Sequence, residues 1–68
     1  MRARLTTASN AEVRAFLNKV GELELTERLV FTFGGFQFSQ PIANRQDAAG
    51  SVVITDDKGR NYTFQLID

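Results

Sequence analysis

Residues 9–21 read SNAEVRAFLNKVG, and whether this stretch is a helix decides the fold of everything after it. Several local signals favour one. Ser9 stands three residues before Glu12, the spacing of a capping box in which the hydroxyl accepts from the amide near Glu12 and the carboxylate returns to the Ser9 amide. Val13, Phe16, Leu17 and Val20 fall at i, i+3, i+4 and i+7, one apolar stripe of a 3.6-residue period. Gly21 is placed for a left-handed C-terminal cap, with Lys19 in the last turn. The reading is a helix over about residues 10–20, with Arg14, Asn18 and Glu22 on its exposed side.

Downstream the period changes to two. Leu23, Leu25, Leu29, Phe31 and Phe33 share one strand face, interrupted only by Glu27. Gly34-Gly35 suits a two-residue type I′ turn, which sets Phe33 opposite Phe36 and Phe31 opposite Phe38. All four rings then lie on one side, and Arg28, Val30, Thr32, Gln37 and Ser39 lie on the other. A second hairpin follows. In SVVITDDKGRNYTFQLID a type I turn closed by left-handed Gly59 puts Ile54 opposite Tyr62 and Val52 opposite Phe64, with Leu66 next along that face. Between the hairpins, PIANRQDAAG (41–50) reads as a polar loop, because Pro41 ends regular ladder pairing. RARLTT near the N-terminus offers a further short strand.

These elements predict an α+β chain, one domain over 1–68. A single helix packs on an antiparallel four-stranded β-meander, with the order β-α-β-β-β-β if the N-terminal strand forms. In element order alone this is similar to the cystatin-like arrangement of a helix against a meander.

The apolar face is large for one helix to cover. A twelve-residue helix shields roughly 180 Å², about five or six sheet positions. The face carries Leu25, Leu29, Phe31, Phe33, Phe36, Phe38, Val52, Ile54, Tyr62, Phe64 and Leu66. The first reading is that a coiled sheet wraps the helix and the phenylalanines are core. The second is that Phe36 and Phe38, near the hairpin tip, pack against another chain. The third is a base-stacking platform, disfavoured because VFTFGGFQFSQ holds no Lys or Arg to grip phosphates.

Composition excludes much chemistry. Eight Lys and Arg balance eight Asp and Glu, so neither a basic nucleic-acid binder nor an acidic mimic is indicated. Without His or Cys, imidazole and thiolate metal sites, disulfides and His-based nucleophile activation are not available. Glu22, Glu24 and Glu27 read as a solvated, aggregation-blocking face. Asp56-Asp57-Lys58-Gly59 lacks the ligand spacing of a calcium loop and reads as a turn. No catalytic residue, metal or cofactor is expected. No apolar run reaches the ~20 residues of a membrane span, and MRARLTTASNA has no apolar run to make a signal peptide, so a cytoplasmic protein is expected.

What remains is a small non-enzymatic protein–protein interaction module, of the kind a phage or mobile element uses to inhibit a host complex by occlusion. Phe36, Phe38 and Arg45 are its expected partner-binding residues, aromatics and arginine being favoured anchors. A homodimer is also open, either by sheet extension at edge strands or by face packing. The alternative is a nucleic-acid-binding domain using the aromatic face or Arg2, Arg4 and Arg14, with weak, salt-sensitive binding.

Overall fold

The computed structural model describes residues 1–67. Six strands, β1 (Arg2–Ala8), β2 (Val20–Leu25), β3 (Arg28–Phe33), β4 (Phe36–Ala48), β5 (Ser51–Asp56) and β6 (Asn61–Ile67), pair antiparallel in chain order. β6 then returns to β1, from Arg2 opposite Ile67 to Ala8 opposite Tyr62, and the sheet closes into a barrel.

The expected helix is not there, and with it goes the α+β class. Residues Ala11–Phe16 form a short 3-10 turn, broken at Val13, whose φ and ψ (−106°, 17°) leave the helical region. A helix shorter than about 12 residues is marginal without tertiary support, and here the tertiary demands run the other way. The Asn18 amide donates to the Leu5 carbonyl (2.7 Å) and the Leu5 amide donates to the Lys19 carbonyl (3.2 Å), extending the β1–β2 contact through residues a helix would consume. Gly21 is not a helix cap. It sits in β2 opposite Ala3, where an added Cβ would lie 2.1 Å from the Thr32 carbonyl oxygen. Positive φ falls on Asn18 (66°) instead. The capping residue is Asn10, whose side-chain oxygen accepts from the Glu12 amide (2.9 Å), while the Ser9 hydroxyl accepts from the Asn61 amide of β6.

The four-stranded meander under a helix is therefore replaced by a closed six-stranded barrel, and the cystatin-like comparison falls with it. β1 is a full strand bonded on both sides, to β2 and β6. The segment expected to be a loop, 41–50, lies mostly in β4. Pro41 pairs with Arg28, and a bulge between Ile42 and Asn44 redirects the strand onto β5. A bulge bends and twists a strand locally, which lets one strand of this length serve both neighbours.

Both hairpin registers match the sequence reading: Phe31 faces Phe38, Phe33 faces Phe36, Val52 faces Phe64 and Ile54 faces Tyr62. On the outer face of β3 and β4, Arg28 bonds Ser39 (2.8 Å) and Gln37 bonds Thr32 (3.0 Å). Only Gly34 of the glycine pair has positive φ (61°), the pattern of a type II′ rather than a type I′ turn. Gly59 is left-handed (φ 79°), and the Asp56 amide bonds the Arg60 carbonyl across the 57–59 loop.

Closure also resolves the oversized apolar face. The barrel interior takes Leu29, Phe31, Val52, Ile54, Tyr62 and Phe64 from that face and adds Ala3, Leu5 and Leu23 from β1 and β2, all buried. Val13 of the 3-10 turn joins this core. Phe33 and Phe38 are half-buried, and Phe36 and Leu66 stay exposed.

Candidate functional site

The β3–β4 hairpin overhangs the barrel on the side of the 3-10 turn. Phe33 and Phe36 flank its Gly34-Gly35 tip, and the turn offers Ala15 and Phe16 against them. Together these residues line a cleft of about 170 Å³ with almost wholly apolar walls. Phe36 leaves 70% of its surface in solvent, the most of any large apolar side chain among the described residues. The Lys19 ammonium sits 5.6 Å from the centre of the Phe33 ring, placing a cation at the rim over an aromatic face.

Below the cleft the aromatic side chains are continuous. Phe16 meets Phe38 edge to face (centroids 4.9 Å apart) and Phe31 at 6.2 Å; Phe38 stacks on Tyr62 at 5.9 Å; Phe31 meets Phe64 at 5.2 Å. Such pairs add about 0.5–1.5 kcal/mol beyond their buried area, and through Phe16 they tie the cleft wall to the barrel core. Phe36 is thus the exposed member of the expected set, and Phe38 is half-buried, packed against the Phe16 that lines the cleft. Arg45 is elsewhere, near the other end of β4, bonded to Asp47 (Nε to Oδ1 3.1 Å). Ala15, Phe16, Phe33 and Lys19 were not read as site residues. The 3.6-residue period that assigned Phe16 to a helix stripe concealed its place in the cleft wall.

A second cluster lies at the β5–β6 hairpin. Alternation along β5 turns Val52, Ile54 and Asp56 inward, so a carboxylate points into the barrel end. Asp56 is buried and accepts from the Lys58 amide (2.9 Å), the Arg60 amide (2.9 Å), the Arg60 Nε (2.7 Å) and the Tyr62 hydroxyl (2.7 Å). Tyr62 in turn accepts from the Asn10 side-chain amide (2.9 Å), and Arg60 reaches Gln40 on β4 (3.0 Å). Burial pushes the Asp56 carboxyl up, but the bonds from Tyr62, Arg60 and the Lys58 amide together outweigh it and hold the group at about 2. Burial, then the bond to Asp56, pushes the Tyr62 phenol up. No buried polar side-chain atom among the described residues lacks a hydrogen-bond partner. These bonds tie the 57–59 turn to Tyr62, to Asn10 before the 3-10 turn and to Gln40 on β4.

Of the cations considered for nucleic acid, Arg2 and Arg4 lie two residues apart on one face of β1. Arg2 lies opposite Glu22 across the β1–β2 ladder, and Arg4 donates to the Asn18 carbonyl (3.0 Å). Arg14 lies in the 3-10 turn. Among the described residues no group of three or more acidic, His or Cys side chains is placed to hold a metal ion, and no helix is long and apolar enough to cross a membrane. Comparison with protein-family models, curated proteins and solved structures finds no match.

Proposed function

We propose that the chain is a non-enzymatic protein-interaction module that docks through the cleft between its β3–β4 hairpin and its 3-10 turn. The observation that carries this reading is Phe36. It is a large ring left 70% exposed at the lip of an apolar cleft, on a barrel that otherwise buries its aromatic side chains wholly or in part. Exposed apolar surface beside a preformed hollow is what a partner's anchor side chain needs, and aromatic residues carry much of the energy of such contacts. A rigid small barrel with one anchor suits binding by occlusion, because the barrel need not rearrange on docking. Nucleic acid fits this cleft less well. A stacking platform needs several open ring faces with cations along the backbone path, whereas here one ring is open and Lys19 lies over its neighbour Phe33.

The test compares tagged wild type with Phe36→Ser on lysate of the native host, each split into nuclease-treated and untreated halves. A protein captured at stoichiometry by wild type, resistant to nuclease and lost with Phe36→Ser, is the expected result. Identical capture by both variants, or capture that vanishes with nuclease, overturns the reading.

A further inference from the structure

The two halves of β4 have different partners. Residues Phe36–Pro41 pair with β3, and Ile42–Ala48 pair with β5. The Ile42 amide still reaches the Glu27 carbonyl (3.1 Å), but beyond it no described strand pairs the far side of Asn44–Ala48. Every residue from Ala43 to Gly50 is exposed. This is an open sheet edge on an otherwise closed barrel.

The adjoining hairpin fixes the hydrogen-bond phase of that edge. Only Ala49 and Gly50 separate Ala48 from its partner Ser51, so those two residues must exchange both backbone bonds. Alternation makes Gln46 with Val53 and Asn44 with Thr55 bonded pairs as well, and it turns the N–H and C=O of Arg45 and Asp47 outward. Their side chains share a face too. Arg45 lies opposite Ile54 and Asp47 opposite Val52, so both sit on the face that continues the barrel interior, where they pair with each other.

We propose that this edge is a self-association surface: Asn44–Ala48 pairs antiparallel with the same segment of a second copy, about a two-fold axis through Gln46. Self-pairing must match outward-turned residues with outward-turned ones, and three registers centred within Arg45–Asp47 do so. One opposes Arg45 to Arg45 and one opposes Asp47 to Asp47. Like charges directly opposite destabilise a ladder. The third opposes Arg45 of each copy to Asp47 of the other, so each cation stands between two carboxylates and the existing pair is kept. In that register the Gln46 side chains meet on the outer face, an amide donor against an amide acceptor. Inward-turned charges usually block edge pairing because a neighbouring strand would leave them without a partner. Here the cation and anion two residues apart complement themselves. The contact is far smaller than the roughly 1,200 Å² of stable complexes, so the dimer is reversible and weakened by salt. It carries two Phe36 clefts.

Sedimentation at low salt, from about 10 μM to about 2 mM, reads the association directly. Wild type is expected to pass from monomer to dimer over this range. Arg45→Asp and Asp47→Arg each weaken association by at least about tenfold, since each opposes like charges in the register that wild type uses. The double variant Arg45→Asp/Asp47→Arg regains it, and so does an equimolar mixture of the two single variants. A wild type that stays monomeric throughout overturns the proposal. So do single variants that associate as wild type does, or a double variant and mixture that fail to recover. The positions are exposed, and unchanged near-ultraviolet circular dichroism shows that each variant is folded. None of these outcomes depends on Phe36, so the dimer and the cleft stand or fall separately.

Discussion

The two hairpins that close the barrel wall make opposite use of what their strands present. The β5–β6 hairpin turns a carboxylate, Asp56, inward and surrounds it with donors until nothing is unsatisfied. The β3–β4 hairpin carries a ring, Phe36, on the same strand face as Phe38 but beside the Gly34-Gly35 tip, and leaves it uncovered. A buried charge survives in a small domain only when its partners are local and pre-positioned, and three of the four Asp56 bonds come from within four residues of it. An exposed ring has no such requirement and adds little to the fold. One hairpin is therefore held by its own buried cluster and the other is free to meet something else.

The largest effect expected from this contrast falls on that cluster. Asp56→Ala leaves the Tyr62 hydroxyl, the Arg60 guanidinium and two amides without their acceptor, and removing one partner of a buried pair costs about 3–5 kcal/mol. A chain of this length has a total stability of roughly 3–10 kcal/mol at about 0.05–0.15 kcal/mol per residue. Thermal or urea unfolding is then expected to show this variant losing a large share of that stability, with its midpoint lowered accordingly. Wild-type stability in Asp56→Ala would remove the cluster from the comparison.

Acid gives a finer reading of the same cluster. The Asp56 carboxyl is held at about 2 in the fold against an ordinary value of 3.8, so the unfolded chain takes up its proton first as pH falls. The stability carried by the ionised group is complete above about pH 4 and is lost as pH drops through 2. The difference in unfolding free energy between wild type and Asp56→Asn should therefore shrink across that window. A difference that stays constant from pH 5 to about 2 would show that the carboxylate's charge is not what the donors hold.

Why both hairpin registers were legible in the sequence and the barrel was not is a matter of range. Gly34-Gly35 and Asp56–Gly59 carry their own turn chemistry, and alternation around them fixed both registers, each later found in the ladder. The error lay in SNAEVRAFLNKVG, where local signals agreed on a helix and a non-local demand overruled them. β1 needs the backbone of Asn18 and Lys19, and β2 needs Gly21 against Thr32. Neither demand is visible until β1 is known to be a central strand. Pro41 misled in the same way. Its missing N–H ends pairing on paper, but the strand around it keeps β3 on one side, and the bulge just beyond it opens the second half to β5. Phe36 was legible as a ring near the hairpin tip because it flanks the turn. Its companions Ala15 and Phe16 were not, because they come from the segment misread as helix.

The smallest expected effect lies between two rings on one strand. Phe36 and Phe38 are two residues apart on β4 and point to the same side, so chemistry and direction are shared and only burial differs. Phe38 touches Phe16, Phe31 and Tyr62. Removing a well-packed ring costs about 3–5 kcal/mol in a full core, and Phe38→Ala, at a half-buried site, should fall near the lower end of that range. Phe36→Ser removes a side chain that packs on little, and surface changes of this kind stay within about 0.5 kcal/mol. Urea midpoints of the two variants measure both effects under one condition. If Phe36→Ser destabilised the barrel as much as Phe38→Ala does, Phe36 would be part of the core, and the cleft would lose its claim to be a docking site. If the midpoint holds while capture of a partner fails, stability and binding separate at one residue, which is what an anchor held outside a finished core requires.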